Sequence, residues 1–404
     1  LILFSSELIS QTWELMYKED YLYHDSTANE HTNFCTGLVI RNDSIIILRE
    51  NGSSSLFLIF NYSNKNWSFV TKDDIWKRFK NDSLYNMYKD NSLRNVIYDL
   101  NGNMWCKSIL KIMQDTIMIY DKIYNRNQDK YYEISDASNL INDKNNNIWA
   151  IISNRDSETK KNCKNICILK DGVFESVYCI EQKYIKEAGM DLAVDNLNRI
   201  WCSIIDSVYL IENEKVTKKI ASYDFPNGFG YLNRMVIDSK NRVYLLNHTC
   251  TMYVIDGDSL YSYDYIWDIE KIDFAGGNLS NYKMCIDSSD NVWVTGGSTC
   301  SLYKFDSKKN WFRYDVPQFT TIPDEWCYKL TIEADKNGKL WIPASNGFGY
   351  GFGIYVFNPN PTSVEKEQPT IQANGLPDVW IRKLYPNPAD NLVTVEFFLN
   401  KKEI

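Results

Sequence analysis

Residues 287–293 read "DSSDNVW", and the chain repeats the phrase: "DLNGNMW" at 99, "DKNNNIW" at 143, "DNLNRIW" at 195, "DSKNRVY" at 238 and "DKNGKLW" at 335. In each copy an Asp precedes a Trp or Tyr by six positions. Asn, Gly, Ser, Lys and Asp dominate the interval, and such residues favour turns because they cap local backbone or tolerate positive φ. A mainly apolar run such as "NVIY", "RMVI" or "KMCI" leads into the Asp, and another such as "WVTGG" or "WAIIS" follows the aromatic. The phrase is therefore expected to be the turn of a β-hairpin.

A second strand–turn–strand pattern follows each hairpin, in "TIMIYDKIYNRNQDKYYEI", "ICILKDGVFESV", "VYLIENEKVTKK", "MYVIDGDSLYSY" and "LYKFDSKKNWFRY". Two hairpins make a four-stranded antiparallel unit. The anchors Trp105, Trp149, Trp201, Tyr244, Trp293 and Trp341 are 44, 52, 43, 49 and 48 residues apart. Four strands repeating at that interval predict an all-β fold, a β-propeller. A seventh, degenerate unit precedes the six, in "GLVIRNDSIIIL" and "LFLIFNYSNKNWSF". Residues 12–358 thus hold about seven units, with six or eight the neighbouring counts. The last unit lacks a fourth strand, because Pro359 and Pro361 stop pairing after "GIYVFNP". "TWELMYKEDYLY" has no hairpin of its own, so residues 12–20 are expected to close the ring.

Composition narrows the function. The 404 residues are 44% hydrophobic and 24% charged, a globular balance with length for a large core. The formal charge of −8 comes with no basic stripe, which argues against nucleic acid as a partner. No apolar stretch is long enough to cross a bilayer. "LILFSSELISQTWE" reads as the remnant of a secretory signal over residues 1–11, cut near Ser10 or Gln11. Cys106, Cys202, Cys250 and Cys300 recur at equivalent repeat positions and are expected to be small strand residues. Cys163 and Cys167 in "CKNIC" are candidates for a bridge in an oxidising compartment but lack metal-site spacing. The Asp-x-Asn-x-Asn spacing overlaps the start of an EF-hand loop, yet a strand aromatic arrives at position seven and no distal Glu follows. No metal or other cofactor is expected.

"D-x-x-G/N-x-Φ-W" followed by "L-Y-x-F-D" resembles the two-component-regulator propeller repeat, over most of residues 30–358. The resemblance implies the fold and the surroundings of sensor ectodomains and secreted proteins. The customary "WIGT…GL" ending is degraded here, and no kinase region follows, so signalling is not implied.

The composition shifts after Asn358. Six of ten prolines fall at 359, 361, 369, 377, 386 and 388, and residues 359–378 read as a linker. "LYPNPADNLVTVEF" then resembles the opening of the type IX secretion C-terminal sorting domain, a small β-sandwich, over residues 379–404. Tyr385, Pro386, Asn387, Pro388 and Ala389 match its first motif, a Pro-fixed turn, and Val393 to Phe397 its first strand. This resemblance implies signal-peptide export, the secretion machinery as partner, and an extracellular or outer-membrane surface location.

No catalytic motif stands out: there is no G-x-S-x-G, P-loop or H-E-x-x-H. His24, His31 and His248 are scattered, and the alternating aromatics of "GFGYGFG" at 347–353 suit a strand connection rather than a phosphate cradle. One column is suggestive. Four residues before each repeat Asp stand Asn95, Asn139, Asp191, Arg234, Lys283 and Thr331, each followed by an apolar residue expected to pack between blades. The polar set is expected to ring the channel mouth, either as a hydrated lining or as a ligand site with Phe225, Phe229 and Trp326 as stacking partners. The leading expectation is a monomeric binding propeller for a polysaccharide or protein. The alternatives are a polysaccharide lyase or hydrolase at the mouth, and a sensor or assembly factor of the secretion apparatus.

Overall fold

A computed structural model describes residues 12–19, 33–41, 44–51, 54–62, 64–77, 97–106, 110–113, 117–155, 162–182, 190–204, 207–221, 224–225, 232–247, 251–263, 283–295, 301–315, 327–328, 331–346, 352–359, 379–387 and 392–399. These are strands joined by turns, apart from one short helix, Lys72–Lys77. That helix opens on a capping box: Thr71 Oγ1 accepts from the Asp74 N–H at 3.0 Å, and Asp74 Oδ2 accepts from the Thr71 N–H at 3.1 Å. No helix among the described residues is long and apolar enough to cross a membrane. The chain divides into two compact units, one of them Gln11–Pro359.

The repeat phrase folds the same way six times. The Asp carboxylate accepts the N–H groups two and four residues on; at Asp287 these are Ser289 and Asn291, both at 2.9 Å. Its second oxygen accepts the ring donor six residues on: Trp105 at 3.1 Å, Trp149 and Trp201 at 3.2 Å, the Tyr244 hydroxyl at 3.2 Å, Trp293 at 2.7 Å and Trp341 at 3.1 Å. The third residue after the Asp takes positive φ each time: Gly102, Asn146, Asn198, Asn241, Asp290 and Gly338. Only Gly, Asn and Asp adopt that conformation cheaply, which explains the composition of the phrase. At Asp287 both carboxylate oxygens are engaged by N–H donors of the turn itself; at Asp195 and Asp238 the second oxygen also accepts from the guanidinium of Arg199, at 2.6 Å, and of Arg242, at 2.5 Å. At Asp99, burial pushes the carboxyl up, but hydrogen bonds from Asn103 and Trp105 outweigh it and hold the group below its ordinary range.

The turns are also tied to one another. The residue after one Asp donates its N–H to the side chain at the positive-φ position of the next turn: Leu100 to Asn146 at 2.9 Å, Lys144 to Asn198 at 2.7 Å, Asn196 to Asn241 at 2.7 Å and Ser239 to Asp290 at 2.9 Å. At Gly338 no side chain is available to continue the series, and a Cβ there would lie 3.1 Å from Ser288 Oγ.

Among the described residues of Gln11–Pro359, six open antiparallel sheets result, in a propeller-like arrangement of about six blades. Five have four strands in chain order, within residues 33–71, 97–119, 190–221, 232–263 and 283–315. The sixth joins Cys327–Tyr328 and Glu333–Ala334 to Leu340–Asn346 and Phe352–Asn358, and is completed by Thr12–Glu19. That closing strand runs antiparallel to Phe352–Asn358 from Thr12 opposite Asn358 to Glu19 opposite Phe352, as the open edge predicts.

The expected count of seven differs because of residues 122–182. Lys122–Asn125, Lys130–Asn142, Ile148–Arg155, Asn162–Lys170 and Val173–Gln182 form a closed set: Lys122–Asn125 pairs with Lys130–Glu133 and also, in parallel, with Phe174–Ser176. The sequence reading gave "TIMIYDKIYNRNQDKYYEI" to the Trp105 unit as its outer hairpin. That sheet instead takes Leu110–Ile112 and Ile117–Ile119, and residues 122–133 turn into the following unit.

Apolar cores lie between consecutive sheets. Trp201 packs with Met235, Val243 and Leu245; Tyr244 with Met284 and Val292; Trp293 with Ile332, Leu340 and Phe357. Trp341 then packs on Leu38, Ile45 and Leu58 of the first sheet, so the ring returns to its start. The residues expected between blades are buried, Leu140, Leu192, Met235, Met284 and Ile332 among them. Each sheet thus hides both faces against neighbours and none could hide them alone. Cys202 is buried, as its repeat position suggests. Cys163 and Cys167 are not bridged to each other: they share one extended strand four residues apart, about 13 Å, too far for a disulfide.

In the second unit, Val379–Asn387 and Leu392–Leu399 pair antiparallel, with Tyr385, Pro386 and Asn387 opposite Thr394, Val393 and Leu392. Pro386 therefore stands in a strand rather than in the expected turn, where its missing N–H is tolerated at a sheet edge. Pro388 and Ala389 lie outside the described residues.

Candidate functional site

In the polar column, Asp191, Arg234 and Lys283 lie in the half of their inner strands remote from the Asp turns, Asn139 lies within the longer strand Lys130–Asn142, and Thr331 precedes Glu333–Ala334. Of its members, Asn139, Asp191 and Arg234 are brought into one contact group. Asn139 is a bulged residue at φ 49° on Lys130–Asn142, between the paired Ser138 and Leu140. Bulges commonly re-aim side chains beside sites, and here the Asn139 amide reaches the next inner strand, donating to the Met190 carbonyl and, at 3.3 Å, to Asp191 Oδ1. Asp191 Oδ1 also accepts from the Leu192 N–H at 3.0 Å, and its Oδ2 accepts from the Met235 N–H, one strand further, at 2.9 Å. Asp191 thus ties three consecutive inner strands, which gives it a structural role that its sequence position does not reveal.

Arg234 sits beyond another irregularity, between Leu232 and Arg234 of its strand. Its guanidinium stands 3.7 Å from Asp191 Oδ1, an ion pair outside hydrogen-bond range, and it makes no hydrogen bond among the described residues. Lys283 opens the next inner strand, and the strand after that carries Glu333. Thr331 is buried two residues before Glu333. Phe225 is a correction: it is buried and packs edge-on against Tyr253 at 5.1 Å, inside the core that holds Trp201, so no face is left for stacking on a ligand. Asn95, Phe229 and Trp326 lie outside the described residues.

Glu333 was not among the sequence candidates. The signal was two residues before the repeat Asp, where the other copies have Ile97, Ile141, Ala193, Val236 and Cys285. An acid in that otherwise apolar column is out of pattern. It is partly buried and makes no hydrogen bond among the described residues. Burial raises its pKa from an ordinary 4.5 to about 7; Lys283 and Arg234 oppose the rise and Asp191 adds to it. Burial likewise raises the Asp191 carboxyl, against Arg234, the Met235 and Leu192 N–H groups and Lys283. Across the ladder from Asp191 stands Ser203, fully buried, its hydroxyl without a partner among the described residues.

A raised carboxyl pKa makes a stability prediction. The folded state holds the Glu333 proton more tightly than the unfolded state does. The penalty for ionising it is absent below pH 4.5, grows as pH rises and is complete above about 7. Glu333→Gln is therefore expected to leave stability nearly unchanged near pH 4 and to raise it by about 2 kcal/mol at pH 8, solvent access reducing the full displacement's worth. Urea unfolding at the two pH values checks this; an equal effect at both removes the titration.

The arrangement offers two cations and one carboxyl poised near neutrality, on adjoining inner strands. It can hold a polar or charged group, and Glu333 can give or take a proton there. No group of three or more potential metal ligands exists among the described residues.

No protein-family model matches the chain, and no curated protein does. Solved structures do. Virginiamycin B lyase from Staphylococcus aureus aligns with a TM-score of 0.51 at 10% identity, over 85% of this chain and 99% of its own. A streptogramin B lyase aligns at 0.51 and 12% identity, over 85% and 98%. PorZ, a surface component of the type IX secretion system of Porphyromonas gingivalis, aligns at 0.49 and 10% identity, over 80% and 46%. At such identities the two lyases speak for the fold alone: the chain shares a β-propeller architecture with them.

Proposed function

We propose that the chain is a binding module of the cell exterior whose ligand site is the inner-strand group Arg234, Lys283 and Glu333. The observation that carries this reading is Arg234. A partly buried guanidinium loses water, and its ion pair with Asp191 at 3.7 Å, the one among the described residues, does not replace the hydrogen bonds lost. A polar ligand entering that space gains interactions the protein does not make for itself. In this reading the closed set at 122–182 takes the seventh place in the ring, since its Trp149 packs on Leu192 and Ile200 of the next sheet as the other anchors do.

Export by type IX secretion rests on the resemblance of Tyr385, Pro386, Asn387, Pro388 and Ala389 to that sorting motif, after a Pro-rich linker at 359–378. In this reading residues 1–11 are signal-peptide sequence, 12–358 the propeller, and 379–404 sorting-domain sequence that engages the secretion machinery. The ligand is a polysaccharide or a protein. Arg234→Ala and Lys283→Ala together are expected to weaken capture at least tenfold on a glycan array or protein screen, while a cooperative unfolding transition shows that the variant is still folded. Capture at wild-type strength would remove the site.

Glu333 supports a second reading. A carboxyl near neutrality beside a lysine suits general acid–base chemistry, as a lyase or hydrolase needs. New chain ends released from a polysaccharide, and lost in Glu333→Gln, would favour it.

A further inference from the structure

We propose that local opening of the ring is concentrated at one seam, between the turn ends of the sheets within 283–315 and 327–358, where the chain of links from turn to turn is interrupted at Gly338.

Four links tie the other turns. In each, the N–H after one repeat Asp donates to the side chain at the positive-φ position of the next turn, at Asn146, Asn198, Asn241 and Asp290. The series runs without a gap through the turns at 99, 143, 195, 238 and 287. Its last member is doubled: Ser239 gives Asp290 its N–H at 2.9 Å and its hydroxyl at 2.6 Å. The next link would run from Ser288 to residue 338. Ser288 occupies the place that Ser239 has one unit earlier, but Gly338 offers no acceptor. A Cβ on Gly338 would lie 3.1 Å from Ser288 Oγ, so the two turns do meet and only the side chain is lacking. Ser288 is exposed, and its N–H makes no hydrogen bond among the described residues.

An apolar core holds the seam. Trp293, Leu302 and Cys285 pack with Ile332, Leu340 and Phe357, and Trp293 meets Phe357 edge-on at 5.5 Å. Apolar burial resists separation but is not directional, so it fixes the tilt of one sheet on another less strictly than hydrogen bonds do. The turn at Asp335 is tied the other way, since the Tyr62 hydroxyl reaches its Oδ2 at 3.5 Å. A small tilt at the seam therefore breaks no link between the turns at 287 and 335, whereas the same tilt at the four linked interfaces breaks at least one. Lys283 opens the inner strand on one side of the seam and Glu333 that on the other, so the ligand group proposed above straddles it. The seam itself stands on the turn geometry and not on the binding reading.

Hydrogen exchange of the full chain, followed by mass spectrometry over the turn segments, tests this. Residues 335–339 are expected to exchange about tenfold faster than 143–147, 195–199 and 238–242, the factor that one or two lost hydrogen bonds represent. Gly338→Asp supplies the missing acceptor. Asp adopts positive φ readily, and the exposed Ser288 hydroxyl can turn to donate to it as Ser239 does to Asp290. That variant should slow exchange at 335–339 about tenfold. Gly172→Asp is the control: it alters the unfolded chain in the same way at a φ of 80°, with open space around it, and should leave 335–339 unchanged. The reverse variant, Asn146→Gly, removes the acceptor of the Leu100 N–H and should speed exchange at 143–147 about fivefold, which decides the matter if Gly338→Asp does not fold. Equal exchange at the four turns of the unaltered chain would overturn the seam. So would an Asn146→Gly chain without effect, or a folded Gly338→Asp chain that exchanges at 335–339 as its parent does.

Discussion

Asp287→Ala is expected to destabilise the fold by about 4 kcal/mol in urea unfolding. Two backbone N–H groups, the Asn291 amide and the Trp293 indole all donate to this one carboxylate. Hydrogen bonds to a charged group contribute roughly 1.5–3 kcal/mol each, but four on one acceptor do not add. The larger cost comes from the donors left behind. The Trp293 indole has no exposed surface, and its ring packs on Tyr314 at 5.4 Å and Phe357 at 5.5 Å, so its N–H cannot reach water without opening the sheet-to-sheet core. Asp287→Asn keeps one acceptor oxygen while turning an amide towards N–H donors, and should lose about half as much. Asp238→Ala is the internal comparison: its ring donor is the Tyr244 hydroxyl, which can rotate towards other acceptors, so the loss should be smaller. A cost below about 1 kcal/mol at Asp287 would mean that the carboxylate is dispensable to the turn.

That turn was the most legible part of the sequence, since its chemistry is local. Apart from the Tyr62 hydroxyl, which reaches Asp335 from the first sheet at 3.5 Å, the donors among the described residues lie within six residues of the Asp, and the positive-φ position shows as Gly, Asn or Asp in all six copies. The links between turns were not legible. Asn198 accepts from Lys144, 54 residues earlier, and nothing in either phrase alone distinguishes an Asn that only adopts positive φ from one that also bridges sheets. The assignment of strands to units, and with it the preferred count of seven over about six, missed for a related reason. "TIMI" and "KIYN" both read as strands, and periodicity gives no measure of which sheet a strand joins. The three-residue strand Leu110–Ile112 was too short to announce itself, so "TIMI" was paired with the hairpin after it instead of with Leu110–Ile112.

The site was half legible. A polar residue recurring four places before an Asp identified Asn139, Asp191 and Arg234, which do meet. It could not show that Asp191 is consumed as a tie between strands, because two of its donors come from neighbouring inner strands 44 and 52 residues away. Glu333 escaped because an acid among turn-flanking polar residues looks ordinary until its column is aligned. Phe225 failed in the opposite direction: an aromatic beside Pro226 and Gly228 looked like a loop platform, but apolar area outweighs loop position and the ring is buried.

Removal of residues 12–19 is expected to abolish the cooperative unfolding transition of the whole ring, not to fray one sheet. The strand Phe352–Asn358 would lose seven residue pairings along its full length and become an open edge. Its Ile354, Tyr355, Val356 and Phe357 are at most 4% exposed and contribute to two cores: Ile354 and Val356 lie with Trp341 against the first sheet, Tyr355 and Phe357 with Trp293 against the preceding one. Loosening one strand therefore weakens both neighbours, and in a closed ring each of these is in turn half of another core. A linear array could shed a terminal unit and keep the rest; a ring whose last core joins Trp341 to Leu38 and Ile45 cannot. Calorimetry should show no native transition for the deletion, and a synthetic peptide of residues 12–19 added in excess should restore part of it by mass action. Hydrogen exchange gives the opposing outcome: if only residues 340–358 lose protection while 190–263 keep theirs, the strand is an edge cover and the ring is held by its sheet-to-sheet cores alone.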